Sequence, residues 1–558
     1  MNDLRITEDS FVAHAICERK SYLMLYQYSE GEEQPYAALV RENKNENESR
    51  YFQKKSDCLD YSSDKLSGKG KYILNANFAA GNVTISNVHL EKIESTSKLG
   101  NYSYEPLVFS DSVRVSAADR LKASYIGYVL NEIQDKTPEH AGIILTDGRR
   151  NNIKLNTGDH LPVLNKLNRW IKCDPAAPSI SFTKHCSVCQ FERQCLAAAK
   201  IDDSICLLSN MPVTVRKKYE SKGIFTINQL SYLYKPRRRS KKLGERKPIH
   251  QYELQALALR TNNIYTSELL KVETEDVEIY VDIESVPDQQ FHYLIGVLIS
   301  FPRDQRFFSF WANNAKKQKD IWESFLNITK KHMAAPIYHY GSYEKKVIIE
   351  LSNRYKTNVD SIVSRLRNVN SYIYGRIYFP TRSNRLKDIC DYLGLSWTAE
   401  DPSGLNSIVW RNNFDKTNDH AYRDDLIIYN KEDCTNLRKL KSVVAVICLQ
   451  EVMMPGVKAA NDKDQLLSGA GKHLIDEFST LIKSAHGKYE KSKISLKKKR
   501  SHNIGVKENR TNRSRKIANS KIDKTIRVAR GRVCPVHHRP LLKTSGRTGH
   551  HYGPGFRT

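Results

Sequence analysis

The chain has 558 residues, with 89 Lys+Arg against 62 Asp+Glu, a surplus of 27 positive charges. Hydrophobic residues make up 40%, enough for several cores, yet no run nears the ~18 apolar residues of a bilayer crossing. The opening MNDLRITEDSF lacks the apolar stretch of a secretion leader, and 11 unevenly spaced Cys exclude a disulfide scaffold. The expectation is a cytoplasmic, multidomain α/β protein with a polyanionic partner and no membrane association.

Residues 1–200 predict a first mixed α/β domain. A helix over ICERKSYLMLYQY opens it, strands KYILNANF, GNVTISNVHL and YEPLVF follow, and a helix over RLKASYIGYVLNEIQ leads to a strand at AGIIL. Residues 31–70 are polar and mixed in charge, which predicts a variable loop. HCSVCQFERQC then sets Cys186, Cys189 and Cys195 in a C-x2-C-x5-C pattern, with Cys17 far upstream. Such thiols suit a tetrahedral S4 site for zinc or an iron–sulfur cluster, stapling the two ends of one domain. Four ordinary buried cysteines are the plainer alternative.

Cys17 with Arg19 in an opening helix, a strand-rich middle and the closing C-x2-C-x5-C resemble the RecB-like nucleases with an iron–sulfur staple, which have a restriction-endonuclease-like fold. The resemblance covers residues 5–200 and implies a [4Fe–4S] cluster on Cys17, Cys186, Cys189 and Cys195, with zinc as the alternative. Active members of that family carry an Asp on one strand and an (Asp/Glu)-x-Lys pair on the next, which hold Mg²⁺ and activate water. Here GNVTISNVHLEK offers Asn87 or His89 in place of the Asp, and YEPLVFSDSVRV puts Val108 and Ser110 where the carboxylate and Lys belong. Valine binds no metal and serine carries no charge. The first domain is therefore expected to be a degenerate nuclease fold that still grips DNA. A shifted register could instead recruit Glu105 and Asp111.

Residues 201–270 predict a helical hairpin or linker, with turns at Pro212 and Gly223. Its stretch ICLLSNMPVTVRKKYESKGIFTINQLSYLY resembles a helix-hairpin-helix, in which the N–H groups of a turn meet phosphate. The basic run Lys235–Lys247 (KPRRRSKKLGERK) reads equally as a phosphate-tracking loop or an exposed linker.

Residues 271–450 predict a second α/β domain. The strand VEIYVDIES places Asp282 and Glu284 two apart, on one face. Adjacent like charges are unfavourable unless a cation neutralises them. PIYHYGSYEKKVI brings His339 and Glu344, and the helix-like DLIIYNKEDCTNLRKL sets Tyr429 and Asp433 one turn apart on one face. Acidic ligands of this kind could hold two divalent ions for phosphodiester hydrolysis, with Tyr429 orienting the water. The bland alternative is a capped strand and a solvated helix face.

The ordered D-x-E, HYGxYE and YNxxDC elements, with RLKDICDYLGLSW before the last, resemble the DEDD exonucleases of the RNase H-like fold, in the branch bearing a tyrosine in the final motif. The resemblance covers residues 276–445. It implies Mg²⁺ or Mn²⁺ on Asp282, Glu284 and Asp433, catalytic roles for those three with Glu344 and Tyr429, and 3′→5′ polarity. Glu344 stands where the family has the shorter Asp. The whole order of domains is similar to a family of RecB-like nucleases, and the expected partner is nucleic acid, DNA rather than RNA.

Residues 451–558 predict a basic, largely disordered tail. From 481 onward there are 22 Lys+Arg against Glu490, Glu508 and Asp523, so most of the surplus sits where few apolar residues could form a core. Cys534, His537 and His538 look like one knuckle of a zinc ribbon whose second knuckle is missing; His550 and His551 could complete a site, and a truncated ribbon or a chance cluster is the plainer reading. The competing expectation for the whole chain is a non-catalytic nucleic-acid-binding accessory protein of a mobile element.

Overall fold

The computed structural model describes residues 4–26, 31–61, 66, 69–156, 158, 160–173, 175–236, 249–449, 455–460 and 477–484. The zinc-knuckle residues, nearly all of the basic tail and most of the Lys235–Lys247 run lie outside them. The described residues up to 460 belong to one compact unit, and the helical stretch 477–484 to another.

The first sheet starts with β1 (Ile6–Thr7), followed by α1 (Glu8–Ile16), α2 (Glu18–Tyr26) and α3 (Pro35–Phe52). Then come β2 (Cys58–Asp60), β3 (Tyr72–Ala80), β4 (Val83–Ile93), β5 (Ser103–Phe109), α4 (Ala117–Gln134), β6 (His140–Ile144), β7 (Arg150–Lys154) and α5 (Leu161–Cys173). The strand order is β2-β3-β4-β5-β6-β7, with β1 parallel to β4 beyond the reach of β5. Tyr104, Val108, Ile143, Tyr125 and Val129 meet beneath it in one core.

Residues 35–52 are helical, not the expected loop. Charges at almost every turn hide the buried side, where only Leu39 and Asn47 are fully covered. Pro35 sits at the first turn, where its missing N–H is harmless. The Asn47 amide donates to Leu145 O at 2.8 Å, and Phe52 packs on His89 and Phe109. The helix thus lies over the first sheet while also touching the second domain.

A helical connector follows: α6 (Glu192–Ile201), α7 (Val213–Glu220), α8 (Ile227–Ser231) and α9 (Tyr252–Thr261). Gly223, with φ +79°, closes the turn between α7 and α8. Every main-chain N–H from Lys222 to Gln229 has a partner inside the protein. The Gln229 side chain accepts from both Phe225 and Thr226, and Asp203 from Ile227 and Asn228. This corrects the phosphate-binding expectation for that turn: its donors are already spent, and it braces the connector.

The second domain contains β8 (Ile264–Thr266), β9 (Glu278–Val286), β10 (Phe291–Ser300), β11 (Gln305–Trp311), α10 (Gln318–Lys330), β12 (Ile337–His339) and α11 (Tyr343–Tyr355). It continues through α12 (Asp360–Val363), β13 (Leu366–Asn368), α13 (Asn370–Ile373), β14 (Ile377–Tyr378), α14 (Leu386–Tyr392), α15 (Gly404–Thr417), α16 (His420–Leu449) and β15 (Val457–Ala459). The main sheet runs β11-β10-β9-β12-β13, antiparallel at the first two seams and parallel at the last two. A small sheet, β14-β8-β15, flanks it. Ile279, Val281 and Ile283 of β9 point into a core with α10 and α11, while Tyr280 packs with Leu437 and Val444 of α16. Alternation therefore turns Asp282 and Glu284 toward α16.

Candidate active site

Two distant stretches of chain supply the acidic group. Asp282 and Glu284 come from the centre of β9, and Asp433 from the second turn after Leu426 on α16. Their ligand atoms lie within 4.8 Å of one another, with Asp282 half-buried and the other two buried. Among the described residues this is the one such acidic or thiol/imidazole group of three.

Each carboxylate has one oxygen held by a neutral donor. The Asn430 amide donates to Asp282 Oδ2 at 2.7 Å, Ser407 Oγ to Glu284 Oε2 at 2.7 Å, and Trp397 Nε1 to Asp433 Oδ1 at 2.9 Å. Asp433 also accepts from Tyr429, while Asp282 and Glu284 each keep an oxygen with no side-chain donor. Burial, then the charges of Asp433, Glu284 and Glu344, hold the Asp282 carboxyl well above its ordinary range. Burial and the Asp433 charge push Glu284 up to about 7, and burial raises Asp433. Three carboxylates in so little water are a poor arrangement without positive charge, so the donor set fits divalent cations.

One fixed cation is present. Lys387, on α14, hydrogen-bonds Tyr429 OH and Pro402 O (2.8 Å to the latter), and its ammonium lies 4.4 Å from the Tyr429 ring centroid. Its charge lowers the pKa of all three acids. Tyr429 is buried and hydrogen-bonds Asp433. Replacing Lys387 with Met is expected to destabilise the cation-free protein by about 2 kcal/mol, the scale of leaving a buried charge with less compensation. Thermal melts in chelator check this, and added Mn²⁺ should restore most of the loss.

Glu344 stands at the first turn of α11, where the helix N-terminus favours its charge. It is buried and its field reaches Asp282, Glu284 and Asp433, but it is outside the three-carboxylate group. Its Oε2 lies 3.3 Å from His339 Nδ1 without hydrogen-bond geometry.

In the first domain, Val108 is core and Ser110 Oγ donates to Asp119 Oδ2 at 2.8 Å. His89 is buried against Glu48, 2.7 Å away, and Asn87 has φ +54° at the surface. Glu105 lies on β5 beside His140, whereas Asp111 lies past the strand's end, and neither belongs to a three-ligand group among the described residues. The four cysteines do share a neighbourhood. Burial raises the thiols of Cys186, Cys189 and Cys195, and each feels the charge of Cys17. Arg19 hydrogen-bonds Cys195, and the Lys20 charge favours the Cys189 thiolate.

Comparison with known proteins adds one result. A family model described as RNase_H superfamily matches residues 279–445, fewer than a third of the chain. No curated protein matches. The matched span begins at β9 and ends in α16, so it encloses all three carboxylates. A domain of this kind points to nuclease-type chemistry on nucleic acid with divalent metals.

Proposed function

We propose that the protein is a divalent-cation-dependent nuclease that trims DNA from the 3′ end through the domain at 279–445. The observation that carries this is the meeting of Asp282, Glu284 and Asp433, whose ligand atoms lie within 4.8 Å of one another, each carboxylate oriented by a neutral donor. Mg²⁺ or Mn²⁺ held there would supply Lewis-acid stabilisation of a phosphodiester undergoing hydrolysis. Tyr429 would orient the attacking water, and Glu344 would add negative charge at the rim of the site. Lys387 would steady the carboxylates before a cation arrives. DNA rather than RNA, and the 3′→5′ direction, rest on the resemblance to RecB-like and DEDD nucleases.

The first domain, lacking the acid pair and the lysine, would hold the strand without cutting it. Its four thiols would carry a [4Fe–4S] cluster, or zinc, as a structural staple. Cations at Arg19 and Lys20 suit a group with negative charge. The protein would work in the cytoplasm; no described helix is long and apolar enough to cross a membrane.

A 3′-labelled and a 5′-labelled single strand with Mn²⁺ test the reading. The expected result is immediate loss of the 3′ label and a ladder from the 5′-labelled strand. Binding without shortening would support the other reading, a non-catalytic nucleic-acid-binding accessory protein of a mobile element, which the position of Glu344 outside the carboxylate group favours. The basic tail predicts a further result. Deleting 485–558 should weaken DNA binding and flatten the log–log salt dependence by several units of slope, since each phosphate contact contributes about 0.9. Fluorescence anisotropy between 50 and 300 mM salt, as an order-of-magnitude window, reads it.

A further inference from the structure

Gly296 of β10 stands directly opposite Asp282 of β9. Its place is explained by space. A Cβ there would lie 1.7 Å from Asn430 Oδ1 and 2.7 Å from Asn430 Cγ, so a side chain at 296 would push the Asn430 amide out of this position. The Asn430 amide fills the room that the missing side chain leaves, and it is fully buried.

Asn430 makes two contacts with one residue. Its Nδ2 donates to Asp282 Oδ2 at 2.7 Å and to Asp282 O at 3.2 Å. Both partners are acceptors, so the amide can face them only with its nitrogen. Its Oδ1 is buried without a hydrogen bond. Leaving such an oxygen unsatisfied costs about 1–3 kcal/mol. An apolar residue would avoid that penalty but would leave both Asp282 acceptors without this donor, so the amide is explained by what it does to Asp282.

We infer that Asn430 is a positioning residue for cation binding. It fixes the Asp282 carboxylate in one orientation by holding Oδ2, and leaves Oδ1 for a cation shared with Glu284 and Asp433. It touches neither the cation nor the substrate. A neutral donor suits the task, because a lysine in its place would compete with the cation for the same charge. Gly296 is the other half of the device: it lets α16 come close enough for the amide to span to β9. The inference rests on the proposed cation site and adds what tunes it.

Mn²⁺ titration calorimetry on the full chain tests it, with circular dichroism to verify folding. Asn430→Leu keeps the volume and removes the donor. Asn430→Ser keeps a polar group too short to reach, and serves if the leucine variant does not fold. The expected result is a 10–100-fold weaker Mn²⁺ dissociation constant, the usual effect of losing a partner that orients a ligand. The melting temperature in chelator should fall through the loss of the two hydrogen bonds to Asp282, and is read separately from the Mn²⁺ affinity. A folded variant that binds Mn²⁺ within twofold of wild type overturns the inference and leaves the cation site standing. A wild-type chain that binds no Mn²⁺ overturns both.

Discussion

Asp282→Asn should melt at a higher temperature than wild type in metal-free buffer at pH 8, and it should cut no DNA. The two effects have one cause. Asp282 is an acid whose burial and acidic neighbours disfavour its charge. Neutralising it relieves about 2 kcal/mol of that strain in the cation-free protein. The same change removes a ligand from the proposed centre, and a fall in rate of about 10³-fold or more, roughly 4 kcal/mol of barrier, follows. Asp433→Asn should behave alike. A variant that is destabilised and still active would remove the basis for a shared acidic site.

The pH dependence has a definite sign. Glu284 titrates at about 7 in the folded chain and near ~4.3 when unfolded. Between those values the folded state binds more protons, so stability without metal falls as pH rises through that window. It is fully present only below the unfolded value. Glu284→Gln should flatten this slope relative to wild type. Saturating Mn²⁺ should also suppress it in wild type, because ligated carboxylates must be ionised. Melts from pH 5 to 8, with and without chelator, compare the three.

The second large effect concerns the thiols. Cys17→Ser should abolish the brown colour expected of an anaerobic preparation and lower the melting temperature by on the order of 10 °C. Cys17 lies in the segment between α1 and α2, while its partners lie at 186–195, so a common cofactor would close a very long loop of chain. Cross-linking a loop of that size is worth about 5 kcal/mol by chain-entropy reasoning. A colourless wild type holding one zinc per chain would replace the cluster by the metal alternative. A protein with neither metal and unchanged stability in Cys17→Ser would reduce the four residues to ordinary packing.

Much of the carboxylate site could be read along the chain because it follows regular periods. Asp282 and Glu284 share a face through strand alternation, and Tyr429 and Asp433 through one helical turn. The partners of those acids have no such period. Ser407 sits on α15, which sequence gave no reason to place beside β9. Lys387 and Trp397 belong to RLKDICDYLGLSW, where nothing local marks a residue that will meet α16. Asn430 is inside the YNxxD motif, yet its importance depends on a glycine across the sheet. The helix at 35–52 escaped for another reason: its buried side holds an asparagine and few apolar groups, so no hydrophobic stripe announces it. The turn after α7 shows the reverse failure, a familiar pattern whose donors prove to be engaged internally.

That unannounced helix has a practical consequence. α3 lies against α15, with Lys416 3.1 Å from Glu46 and 3.5 Å from Glu42, and α15 carries the serine that grips Glu284. The ion pairs are too exposed to count for much, but the surface they border is shared. Cutting the chain to residues 271–450 would strip one side of α15 bare and loosen the support of that serine. The front half thus buttresses α15 whatever its own chemistry, and a trimmed chain would keep its three acids but lose their scaffolding.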